Sequence, residues 1–182
     1  MAKETEIAGN RRGIPWRIVG WGTAALLLLL PWVANAPWTA SDFVFAGVLF
    51  GSVGLAFELI VRKSRSLAYR LGAALGVVAA FLTVWVNGAV GMIGSEDNPY
   101  NLLFGGVLLI ALTGAILARF QPAGMVRAMA AAAAAQALLG AIGLSTDVRG
   151  AVFSIVLAGP WVLAAALFHN AAREQSLAGA AA

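Results

Sequence analysis

Three side chains able to do chemistry stand inside long apolar runs: Glu58, Asn87 and Gln136. Polar and ionisable groups are costly inside a membrane segment and by default mark an ion or solute path. Glu58 has the chemistry of a proton or cation carrier. Against that, Arg62 follows four residues later on the same helical face, in the order that favours a Glu–Arg pair, and both lie near enough to the end of the run to snorkel. Asn87 and Gln136, with Thr83 and Thr113, have compatible depths for a polar lining. Single amides of this kind also serve as interhelical glue worth about 1 kcal/mol or less.

A second cluster lies in the turn SEDNP: Ser95, Glu96, Asp97 and Asn98. Its oxygens suit a hard cation such as calcium, which gathers about six to eight oxygen ligands, but the spaced D-x-D-x-D-G loop is missing. The structural alternative is a helix start, with Asp97 or Asn98 as cap, Pro99 as first helical residue, and the carboxylates at the helix's positive end. The chain has no cysteine and one histidine, His169, so thiolate chemistry and a bis-histidine haem are excluded. No nucleophile elbow, Walker loop or HExxH occurs. No catalytic, cofactor-binding or metal-ligating set is therefore assigned, and an enzyme is the less favoured class.

The elements that must position these residues are membrane helices. Hydrophobic residues make up 61% of the 182 and charged residues 11%, against about 25% charged in soluble domains. Apolar runs of the ~20 residues that span a bilayer recur at about 16–36, 42–63, 67–93, 99–120, 123–144 and 148–170. The expected fold is all-α: one integral membrane domain of six transmembrane helices over 16–171, between tails 1–15 and 172–182. Ser41-Asp42 is the expected cap of the second span. Gly47, Gly51 and Gly54, and again Gly72 and Gly76, have the spacing that lets helices approach closely in lipid. Gly159-Pro160 should bend the last span. The first run imitates a secretory signal ending in Ala34-Asn35-Ala36, but Pro37 would obstruct cleavage and similar spans follow, so a retained helix is the preferred reading.

Lys and Arg collect in cytoplasmic loops. With six spans, Lys3, Arg11, Arg12, Arg17, Arg62, Lys63, Arg65, Arg70, Arg119, Arg127 and Arg173 share the side of the N-terminus, leaving Arg149 opposite with Asp42, Glu96, Asp97 and Asp147. Both termini are then cytoplasmic. The clusters between spans orient the chain and do not form a nucleic-acid face; the link at 62–70 has the composition to recruit anionic lipid. Residues 41–93 and 95–144 each run acidic cap, span, basic link, span, which suggests a tandem two-helix repeat with LFGSVG at 49–54 echoed by LFGGVL at 103–108.

The run WVNGAVGMIGSEDNPYNLLF, preceded by the span DFVFAGVLFG, resembles small bacterial inner-membrane proteins of uncharacterised function with a W-V-N…G-x-I-G-x-E-D-N-P signature, over roughly residues 35–145. The resemblance implies a multi-pass protein of the bacterial cytoplasmic (inner) membrane and brings no activity or cofactor. On the sequence, the leading function is a non-enzymatic accessory or regulatory membrane protein, with the bilayer and a second copy or another membrane protein on its Gly and Ala faces as partners. The alternative is a small-solute or ion transporter, proton-coupled in one form, that uses Glu58, Asn87 and Gln136.

Overall fold

The computed structural model describes residues 16–181; the expected tail 1–15, with its Lys3 and twin arginines, lies outside them. The described chain is all helical: α1 (Trp16–Val33), α2 (Ala40–Lys63), α3 (Leu67–Ala89), a 3-10 turn (Pro99–Leu103), α4 (Phe104–Leu117), α5 (Pro122–Gly143) and α6 (Val148–Ala180). Five segments are long and apolar enough to cross a membrane, namely Ala40–Ile60, Leu67–Ala89, Pro99–Leu117, Pro122–Gly143 and Val148–Ala180, and α1 adds a shorter one at Ile18–Val33. The protein is a multi-span, all-α membrane protein.

Several boundaries differ from expectation for local reasons. The third span stops at Ala89 instead of Ile93, because the chain turns through Gly91 and Gly94 at φ 75° and 73°. A Cβ on Gly91 would come within 2.5 Å of the Ser95 carbonyl oxygen, so glycine is required there for space as well as conformation. The fourth span opens with the 3-10 turn before α4 begins. Thr39, not Ser41, caps α2: its backbone N–H and hydroxyl both donate to the Asp42 carboxylate, at 2.7 and 2.8 Å. Residues 172–180, expected to belong to the tail, continue α6; the run AAREQSLAGA consists largely of strong helix formers. α6 also carries through Pro160 as one helix.

The chain divides within α2, between Gly54 and Leu55, into two units. In the first, α1 ends with Asn35 at φ 51° and the Ala36 N–H bonded to the Pro31 carbonyl at 2.9 Å, the 6→1 closure that satisfies a last-turn carbonyl. Gly54 leaves room for the Trp21 ring, whose nearest atom would stand 2.9 Å from a Cβ.

In the second unit, α4 packs on α5, α5 on α6, and α6 on α3. Lipid tails are as apolar as Leu, so these contacts gain little from the hydrophobic effect and depend on close backbone approach. The small residues supply it. A Cβ on Gly72 would stand 3.3 Å from the Ala164 carbonyl oxygen, one on Gly114 2.7 Å from Ala128 Cβ, and one on Gly140 2.9 Å from the Ala151 carbonyl oxygen. The buried stripe of α5 runs Met125, Ala128, Met129, Ala132, Ala133, Gln136, Gly140, Gly143. That of α6 runs Ala151, Ser154, Leu157, Ala158, Trp161, Ala164, Ala165, Phe168, Ala171. Both follow the i, i+3, i+4, i+7 spacing of one helical face.

Candidate functional site

One end of the second unit is organised by amides. Asn101 is buried. Its Oδ1 accepts from the Met92 and Ile93 N–H groups at 3.1 and 2.8 Å, and its Nδ2 donates to the Ser95 and Ile93 carbonyls at 2.8 and 3.3 Å. Asn87 works beside it, donating to the Asn101 carbonyl at 2.9 Å and accepting from the Met92 N–H at 3.2 Å. Asn98 caps the 3-10 turn by accepting from the Tyr100 N–H at 3.1 Å and donates to the Ile93 carbonyl at 2.9 Å. The backbone of 92–95 is thus held by side chains where no ladder or helix could hold it.

Asp147 fastens this turn to α6. One carboxylate oxygen accepts from the Gly94 N–H at 3.0 Å, while the other caps α6 through the Arg149 and Gly150 N–H groups at 3.0 and 3.1 Å. The amide of Gly94 first, then that of Gly150, hold its pKa below the usual carboxylate value. Ser95, Glu96 and Asp97 are exposed, and among the described residues no three His, Cys, Asp or Glu side chains gather as a metal site would require.

A different polar group lies deep between the helices. Gln136, Ser154 and Thr83 are buried on α5, α6 and α3. Gln136 Nε2 donates to Ser154 Oγ at 3.3 Å, and the Ser154 hydroxyl donates to the Gln136 carbonyl at 3.2 Å. Thr83 bonds back to the Ala79 carbonyl at 2.9 Å. Its depth follows from register: Gly76 faces the Met129 sulfur, 3.1 Å from where a Cβ would stand. Since α3 and α5 run the same way, two turns onward bring Thr83 and Gln136 to one level.

Two atoms in this interior have no hydrogen-bond partner among the described residues: Gln136 Oε1 and Trp161 Nε1. Trp161 is 1% exposed and Gln136 0%. The Gln136–Ser154 bond sets the antiparallel register of α5 and α6, which places Trp161 opposite Met129, about 10 Å along the helix from Gln136 at 1.5 Å per residue. Helical side chains lean toward their own N-terminus. In antiparallel neighbours placed in this order, Gln136 and Trp161 therefore lean toward each other. One is an acceptor and the other a donor, and leaving either unpaired in an apolar interior costs about 1–3 kcal/mol.

The three residues singled out from sequence occupy different settings. Gln136 belongs to this interior and Asn87 to the turn at the bundle end. Glu58 pairs with Arg62 one turn on, at 3.6 Å, with the Arg62 side chain 69% exposed. Sequence reasoning missed Ser154 and Trp161, although each lies on the small-residue face of α6, seven positions apart. It also passed over Asn101, which lies just beyond the acidic turn.

Compared with protein-family models, curated proteins and solved structures, the chain matches none.

Proposed function

We propose that this chain moves a small polar solute across a membrane through the interior of α3–α6. The Gln136 carboxamide oxygen and the Trp161 indole N–H are its acceptor and donor, and Ser154 and Thr83 lie alongside. The observation that carries the reading is the pair of unpartnered buried atoms. A helix bundle gains nothing in stability from an orphaned donor and acceptor in lipid surroundings, whereas a passing solute with one hydrogen-bonding group of each kind satisfies both. The four residues named carry no charge, which suits a neutral solute better than a bare ion, whose desolvation would go uncompensated. Glu58 and Asn87 stand outside this path, so the proton-coupled form has less support.

Proteoliposomes and stopped-flow swelling with glycerol, urea and small amides test the proposal. Gln136→Leu and Trp161→Phe, the latter keeping the ring and removing only the donor, should each abolish the solute-dependent component. Permeability equal in wild type, variants and empty liposomes would return the protein to the non-enzymatic accessory reading, with a partner on its glycine and alanine faces.

The membrane we assign is a bacterial cytoplasmic membrane, with the cationic ends of the spans and both termini inside, and with α2–α3 and α4–α5 as two copies of one unit. The absence of cysteine makes orientation simple to test. Single cysteines at Ser64 and Ser95 should label from opposite faces of intact cells, and labelling from one face refutes the assignment.

A further inference from the structure

At the end of the second unit opposite Asn101, a cavity of about 380 Å³ opens among Lys63, Ser66, Tyr69, Phe120, Gln121 and Glu174. That volume falls in the range of about 300–1,000 Å³ common for small-molecule sites. Its walls come from the ends of spans: Lys63 closes α2, Ser66 caps α3, Gln121 immediately precedes α5, and Glu174 lies in the last turns of α6. A cavity at span ends lies at headgroup level.

The two charges in the wall are of opposite sign. The Lys63 ammonium lies over the Phe120 ring, 5.7 Å from its centroid. The Glu174 carboxylate accepts the Ser66 hydroxyl at 2.7 Å and keeps acceptor capacity beyond that one bond. Between them the backbone is strained: Arg119 and Phe120 are both left-handed, at φ 49° and 56°. Two consecutive non-glycine residues in that region are costly, and such strain gathers at ligand clamps. The Tyr69 hydroxyl secures it by donating to the Phe120 carbonyl at 3.0 Å.

We infer that this cavity binds a zwitterion whose anionic oxygens meet Lys63 and whose primary ammonium meets Glu174, the chemistry of a phosphoethanolamine headgroup. A basic cluster alone would suit any anionic lipid; the carboxylate in the wall turns the preference toward a ligand that also brings a cation. A quaternary ammonium has no N–H to give Glu174, and the Phe120 face that could hold one is taken by Lys63. The site is separate from the solute path through the core and stands or falls without it.

The test uses the full chain in detergent, titrated with dihexanoyl phosphatidylethanolamine, phosphatidylcholine and phosphatidylglycerol, and with glycerophosphoethanolamine for the same headgroup free of acyl chains. The ethanolamine lipid should bind about tenfold tighter than the other two, a difference of about 1.4 kcal/mol. Glu174→Gln should erase that preference without weakening phosphatidylglycerol, and Lys63→Gln should weaken both, with thermal stability of each variant in detergent measured alongside. Glycerophosphoethanolamine binding as tightly as the lipid identifies a free solute as the source; weaker binding identifies the membrane. Equal affinity for the three lipids, or a preference that survives Glu174→Gln, overturns the inference. Solute flux should be the same in both variants.

Discussion

Asn101 and Gln136 are both buried amides, and they are treated in opposite ways. Asn101 uses both of its polar atoms twice, on four backbone groups of one turn. Gln136 bonds Ser154 through its nitrogen and leaves its oxygen without a partner. A side chain whose every valence is spent on the backbone is structural. One that keeps a valence open in a dry interior is available to something that arrives.

The sharpest way to break this contrast is to remove both amides in turn. Asn101→Leu strands the Ile93 N–H and weakens the hold on Met92, and at about 1–3 kcal/mol for each group left unpaired it should cost roughly 3 kcal/mol or more, read as a lowered unfolding midpoint in detergent. Gln136→Leu discards an unsatisfied acceptor along with one interhelical bond worth about 0.6 kcal/mol on average, so stability should stay within about 1 kcal/mol of wild type while solute permeability disappears. If the two substitutions destabilise equally, Gln136 is glue and the contrast fails.

Asp147 sharpens the comparison from the side of pH. Its pKa is depressed in the fold by the Gly94 and Gly150 amides, so its contribution is complete above the unfolded value near 3.9 and is lost as pH falls through the lower folded value. Stability followed by tryptophan fluorescence should therefore decline in that acid window, and Asp147→Asn should flatten the decline. The smallest effect belongs to Glu58. An i, i+4 pair with an exposed arginine contributes about 0.3–0.5 kcal/mol, so the loss of the Arg62 pair in Glu58→Gln should cost about that much, and the substitution should leave flux unaltered. A loss of flux would return Glu58 to the path.

Hydropathy made the spans legible in the sequence, and the turn residues made most of the breaks legible. The buried faces were not. Along α5 and α6 both the lipid side and the protein side are apolar, and what separates them is size: Ala128, Ala132, Gly140 and Ala151 face neighbours while Leu138, Ile142, Val152 and Val162 face outward. A pattern read for polarity misses that. In the acidic turn, charge drew notice to Glu96 and Asp97, yet holding a bare stretch of backbone requires donors and acceptors together, which amides have and carboxylates lack. Ser154 and Trp161 were hidden for the same reason as the faces: serine and tryptophan are unremarked in a membrane helix until the partner across the interface is known.

The position of α6 in the packing bears on how the protein is made. It covers both α3 and α5, and it is synthesised after them. While the nascent chain has reached only residue 147, Gln136 has no Ser154 to meet, and the half-built bundle must shelter it from the acyl chains by other means, within the insertion machinery or against a temporary companion. Cellular quality control would therefore encounter an exposed amide in any product that stalls before α6, and a stop codon at 148 should yield a short-lived polypeptide.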